Sequence, residues 1–131
     1  RSGGVGKVVL DASAILALLN DEPGAAAVAA ALEDAVVSAV NLSEVVAKLQ
    51  EVGLSREEAE EALGGLGLEV QPFGEAAAWA AGTLRGATRR AGLSLGDRAC
   101  LALARELGVP AMTADAAWLK AATGADVRLV R

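Results

Sequence analysis

At 131 residues, 53% hydrophobic and 22% charged, the chain is long enough for one domain with a substantial core and too apolar for disorder. Its net charge of −5, from 12 basic and 17 acidic residues, gives no overall positive surface for nucleic acid, although Arg85, Arg89, Arg90 and Arg98 cluster locally. The absence of His and Tyr and the single Cys100 exclude Ser-His and Cys-His nucleophile systems, imidazole-ligated zinc and an internal disulfide, which leaves carboxylates, hydroxyls, Lys and Arg, a donor set suited to hard cations such as Mg²⁺ or Mn²⁺.

The opening Arg1-Ser2-Gly3-Gly4 is small, polar and lacks an initiator Met, so residues 1–6 are expected to be a disordered or appended segment and residues 7–131 a single domain. Gly3-Gly4-Val5-Gly6-Lys7 resembles a phosphate-binding loop. That motif needs a preceding strand, a following helix and a hydroxyl after the Lys, and here Val8 follows. Strands are predicted at Lys7–Leu10, Ala35–Ser38, Gly67–Val70, Pro110–Thr113 and Asp126–Val130. Between them, helices are predicted around Ser13–Leu19, Ala25–Glu33, Leu42–Val52, Arg56–Leu63, Glu75–Ala91, Gly96–Leu107 and Ala116–Ala122. Pro23-Gly24, Gly53, Gly64-Gly65-Leu66-Gly67 and Gly92 mark the breaks, and Ser55-Arg56-Glu57-Glu58 has the form of a capping box. This alternation implies an α/β fold with a mostly parallel sheet covered on both faces. Apolar runs stop well short of the ~18–20 residues of a membrane span and no signal segment is visible, so a soluble cytoplasmic protein is expected.

Four acids interrupt otherwise core-like segments: Asp11 closing VVLD, Glu44 in VNLSEVV, Asp97 in LSLGDRACLALA and Asp115 in VPAMTADAAWL. Each has an ordinary explanation. Asp11 and Asp115 can cap the helices that follow, Asn41-Leu42-Ser43-Glu44 and Ser94-Leu95-Gly96-Asp97 can be capping boxes, and Glu44 can pair with Lys48. Their placement argues for more. Asp11 and Asp115 fall at the carboxyl ends of strands and Glu44 and Asp97 near the starts of helices, so in a parallel sheet all four reach the edge where ligands bind. Asp97 shares a helix side with Leu101 and Ala104, above an apolar stripe. Clustered carboxylates repel one another unless a divalent ion neutralises them.

VVLDASAILALLNDEPG, NLSEVVAKL, LSLGDRACLALARELGVP and MTADAAWLK, in this order and spacing, resemble PIN-domain nucleases, and more narrowly the VapC toxins of VapBC toxin–antitoxin systems, from about Lys7 to the C-terminus. The resemblance implies a PIN-like three-layer α/β/α sandwich with about five strands. It implies that Asp11, Glu44, Asp97 and Asp115 form a pocket for Mg²⁺ or Mn²⁺, with Ser13 and Thr113 as neighbouring hydroxyls. It further implies hydrolysis of structured RNA of the tRNA or rRNA class, a cognate VapB-type antitoxin and a homodimer. Within that reading Asp11, Asp97 and Asp115 are expected nearest the metal and Glu44 acts through water, while Arg85, Arg89, Arg90 and Arg98 are candidate RNA contacts. Trp79 and Trp118 are read as core or interface residues rather than base-stacking platforms. Two other readings are weighed: a PIN-like binding module without turnover, and an aspartyl-phosphate phosphotransfer domain, for which Ser13 stands where a second acid is needed.

Overall fold

The computed structural model describes residues 7–131; residues 1–6, the expected disordered or appended segment, lie outside the described residues. The first strand, β1 (Val8–Leu10), begins directly after Lys7, so no helix follows that Lys as a phosphate-binding loop requires. It is buried on both faces, as a central parallel strand of apolar residues should be. Asp11 caps α1 (Ala12–Leu19), and the chain turns through Gly24 into α2 (Ala25–Ala31). Gly24 adopts φ 100°, and a β-carbon there would lie 2.7 Å from Val130, so two independent constraints call for glycine.

The strand β2 (Ala35–Ser38) feeds α3 (Ala39–Glu51), then α4 (Arg56–Gly64) with the Ser55/Glu58 capping box. Next come β3 (Glu69–Gln71), α5 (Glu75–Thr83) and α6 (Arg85–Thr88). The last third holds α7 (Leu95–Leu107), β4 (Ala111–Thr113), a 3₁₀ turn at Ala116–Lys120 and β5 (Val127–Leu129).

All pairings are parallel and the strand order is β3-β2-β1-β4-β5. Alternation along the strands sends Val8, Leu10, Ala35 and Val37 into one core, with Ile15, Val28, Val45 and Leu49. Val9, Val36 and Ala111 enter the other, with Leu84, Leu101 and Trp118. The result is the three-layer α/β/α architecture with five strands that the sequence implies. Among the described residues no helix is long and apolar enough to cross a membrane.

Three expectations are corrected. The single helix over Glu75–Ala91 divides at Leu84: Thr83 spends its hydroxyl on the Trp79 and Ala80 carbonyls, Gly82 and Gly86 weaken the helix, and Leu84 is drawn into the core. The segment after Asp115 is a 3₁₀ turn rather than an α-helix. The helix predicted around Leu42–Val52 begins earlier, at Ala39, because Ser38 caps it.

Candidate functional site

The sheet reverses its winding between β1 and β4. From β1 the chain adds β2 and β3 on one side; it then crosses back to place β4 and β5 on the other. Such a reversal opens a crevice beyond the carboxyl ends of the two strands, and Asp11 and Thr113 flank it.

Asp11 is buried, 3% exposed, and its backbone N–H donates to the Met112 carbonyl at 3.2 Å. Its Oδ1 accepts from Ala14 N–H at 2.8 Å, the Ser13 hydroxyl stands 2.8 and 2.9 Å from the two carboxylate oxygens, and the Thr113 hydroxyl donates to Oδ2 at 2.6 Å. The hydroxyls are themselves oriented: Ser13 Oγ accepts from Ala114 N–H at 2.9 Å and Thr113 Oγ1 from Asp115 N–H at 3.0 Å. Each therefore accepts a hydrogen bond from a backbone N–H of the loop after β4 and is free to donate its own to Asp11. Burial still pushes the Asp11 carboxyl up from 3.8 to about 6; the bonds from Thr113, Ala14 and Ser13 oppose the rise and the charge of Asp97 adds to it.

Glu44 reaches the same region from α3. The helix starts at Ala39 behind Ser38, whose hydroxyl accepts from Val40 N–H at 3.2 Å, so Asn41 is not an N-cap and the expected Asn41–Glu44 capping box does not form. Nor does Glu44 pair with Lys48, which lies 3.6 Å from Glu51. Instead Asn41 is buried, and its Nδ2 donates to Glu44 Oε1 at 2.9 Å and to the Gly96 carbonyl at 3.0 Å. A β-carbon at Gly96 would collide with both Glu44 carboxylate oxygens.

Asp97 completes a capping box on α7: Ser94 N–H donates to its Oδ2 at 2.8 Å, while Asp97 N–H donates to Ser94 Oγ at 3.2 Å. Cys100, one turn on, is fully buried, as expected for a reduced structural thiol. Burial, and then the charges of Asp11, Asp97 and Glu44, raise its pKa well above the ordinary thiol value. One buried point thus feels three of the acids. Asp115 stands at the exposed rim, tied to the crevice through its backbone bond to Thr113 and capping the 3₁₀ turn through Ala117 N–H at 2.9 Å.

Among the described residues no three His, Cys, Asp or Glu side chains stand close enough to hold a metal ion. The reason is visible in the caps: Asp97 and Asp115 turn their carboxylates toward backbone N–H groups at the starts of their own helical segments. The residues nevertheless fit a hard cation. The donors are all oxygen, and Asp11 is held as an acceptor at a burial cost that a positive charge would offset. Gly96 also leaves bare the space that Glu44 fills. Each cap engages one oxygen of its carboxylate, Oδ2 of Asp97 and Oδ1 of Asp115, which leaves the second oxygen of each able to face a cation.

Arg85, Arg89 and Arg90 are exposed on α6 and in the turn that leads to the start of α7. Arg98 differs from them: Nη1 donates to the Ala81 carbonyl at 3.1 Å and Nε is buried without a partner, so this side chain ties α7 to the end of α5. Two further cations lie near the site. Lys48 and Arg131 line a cleft of about 420 Å³ between α1 and α3 that opens on Ser13. Arg131 lies 3.0 Å from Glu22. Nothing in the sequence marks the C-terminal residue as returning to α1. The two tryptophans part company, Trp118 being wholly buried and Trp79 being 69% exposed.

A family model for the PIN domain matches residues 8–124. No curated protein matches the sequence. Among solved structures, DNA-bound VapBC from Salmonella typhimurium aligns with TM-score 0.74 at 19% identity, over 97% of this chain and 100% of that one. VapBC2 from Rickettsia felis, bound to a DNA fragment from their promoter, aligns with TM-score 0.72 at 15% identity, over 93% and 97%. FitAB bound to an IR36 DNA fragment aligns with TM-score 0.72 at 19% identity, over 94% of each chain. At these identities the likeness is one of fold.

Proposed function

The chain belongs to the PIN domain family, and on that premise we propose that it is the toxin of a type II toxin–antitoxin pair, a divalent-metal-dependent endoribonuclease acting on structured RNA of the tRNA or rRNA class. The observation that supports this reading is the buried Asp11, held by the Ser13 and Thr113 hydroxyls at the crevice where the sheet reverses. Mg²⁺ or Mn²⁺, when bound, supplies a nucleophile at neutral pH without any His and stabilises charge developing on the phosphate.

The remaining work falls to the chain itself. Ser13 and Thr113 hold Asp11 in one orientation, so its carboxylate is fixed before any ligand arrives. Glu44 and Asp97 bring further negative charge from α3 and α7, with Glu44 acting through water, and Asp115 would close the pocket from its exposed rim. Arg85, Arg89 and Arg90 are suited to gripping RNA phosphates beside the start of α7, whereas Arg98 is engaged with Ala81. A cognate VapB-type antitoxin belongs to this reading, supported by the VapBC complexes that share the fold; a homodimer and a cytoplasmic location are proposed with it.

A second reading, a PIN-like RNA- or protein-binding module without turnover, draws on the caps, in which Asp97 and Asp115 each commit one carboxylate oxygen to a backbone N–H. Sequencing the RNA ends that accumulate on brief expression separates the two. The toxin reading expects new ends at a defined site with the wild type and none with Asp97→Asn; identical ends from both would refute it.

A further inference from the structure

We infer that Asn41 is a positioning residue that holds Glu44 at the acid pocket and sets its spacing from Asp97, and that position 96 is glycine because the Glu44 carboxylate occupies the space of its side chain. The inference rests on the reading of the acids as a cation site.

Asn41 is 1% exposed, and burying an amide inside a helix is costly unless every polar atom is satisfied. Here it is not: both Nδ2 hydrogens are used, on Glu44 Oε1 and the Gly96 carbonyl, but Oδ1 is buried without a partner. An unsatisfied buried acceptor works against stability. The amide is kept against that gradient, and what it does is specific. One group ties the carboxylate of Glu44, one helical turn along α3, to the carbonyl of the residue before Asp97 on α7. The elements carrying two of the acids are thereby locked in register. Gly96 is the other half of the device, since any side chain there displaces the carboxylate that Asn41 holds.

Calorimetric titration of the full chain with Mn²⁺, alongside circular-dichroism melting, tests this in Asn41→Ala, Glu44→Gln, the double variant, Gly96→Ala and Asp11→Asn. Loss of a residue that orients a ligand weakens metal binding about 10- to 100-fold, and that loss is expected for Asn41→Ala. Gly96→Ala should reproduce it, because only the flexible end of Glu44 need move to admit the methyl group. Since Asn41 acts through Glu44, the double variant should bind within about 2-fold of Glu44→Gln alone, a non-additivity that a merely structural residue would not give. Wild-type affinity in Asn41→Ala, or additive losses in the double variant, overturns the inference. If Asn41→Ala does not fold, Gly96→Ala decides, with unchanged affinity overturning it. Unchanged Mn²⁺ binding in Asp11→Asn overturns the cation site itself and this role with it, whereas loss there beside intact binding in Asn41→Ala overturns the positioning role alone.

Discussion

Thr113 donates its hydroxyl to Asp11 at 2.6 Å across the boundary where the sheet reverses its winding, joining the end of β4 to the end of β1. The same oxygen accepts from Asp115 N–H, so one threonine links the buried acid to the exposed one. Thr113→Val keeps the shape and removes both bonds. At pH 7, where Asp11 is charged, the expected loss is about 1–3 kcal/mol in urea unfolding. At pH 4.5 the neutral carboxyl depends less on that donor, and the loss should shrink; equal losses at both pH values would contradict the account of the bond.

Asp11 itself costs stability. Its folded value, about 6, lies above the ordinary 3.8, so the folded state holds an extra proton between them and stability falls as pH rises through that window. The cost is roughly 3 kcal/mol and is fully present by about pH 7. Asp11→Asn should therefore be more stable than the wild type at pH 7 and show a flatter stability profile between about pH 4 and 6. Divalent cation should raise the melting temperature of the wild type and leave that of Asp11→Asn nearly unmoved.

The tryptophans predict opposite outcomes. Trp118 is wholly buried in the core that holds Leu84 and Leu101, and Trp118→Ala should cost about 3–5 kcal/mol. Trp79 is exposed on α5, and Trp79→Ala should change stability by less than about 0.5 kcal/mol. Urea midpoints with unchanged slopes read both directly.

Gly24→Ala combines a left-handed φ with a collision against Val130, and the C-terminal strand should loosen with it. A loss above about 1 kcal/mol is expected, with faster amide exchange at Val130, whose N–H donates to the Thr113 carbonyl. Stability equal to the wild type would show that the Gly24 turn can relax freely.

Hydrophobic period and turn residues make much of this fold legible in the chain itself. β2 falls on Ala35–Ser38 as predicted, and the capping boxes at Ser55 and Ser94 and the caps at Asp11 and Asp115 form. What misleads is chemistry shared by two arrangements. Asn41-Leu42-Ser43-Glu44 has the residues of a capping box, but the true cap, Ser38, is the last residue of a strand, and only the fold shows that the helix starts ahead of Asn41, at Ala39. A long-range bond such as Asn41 to the Gly96 carbonyl leaves no local signal, and neither does the return of Arg131 to Glu22. The acids can be named from their places in the chain; that Asp97 and Asp115 spend their carboxylates on caps can be read there only as an alternative to their meeting at a cation.

The most direct test of the central claim is cleavage of structured RNA by the purified chain in Mg²⁺ or Mn²⁺, set beside Asp11→Asn and Asp97→Asn whose folding is verified by circular dichroism. The account predicts cation-dependent scission by the wild type, abolished by chelation and by either substitution; scission that persists unchanged in both variants would contradict it.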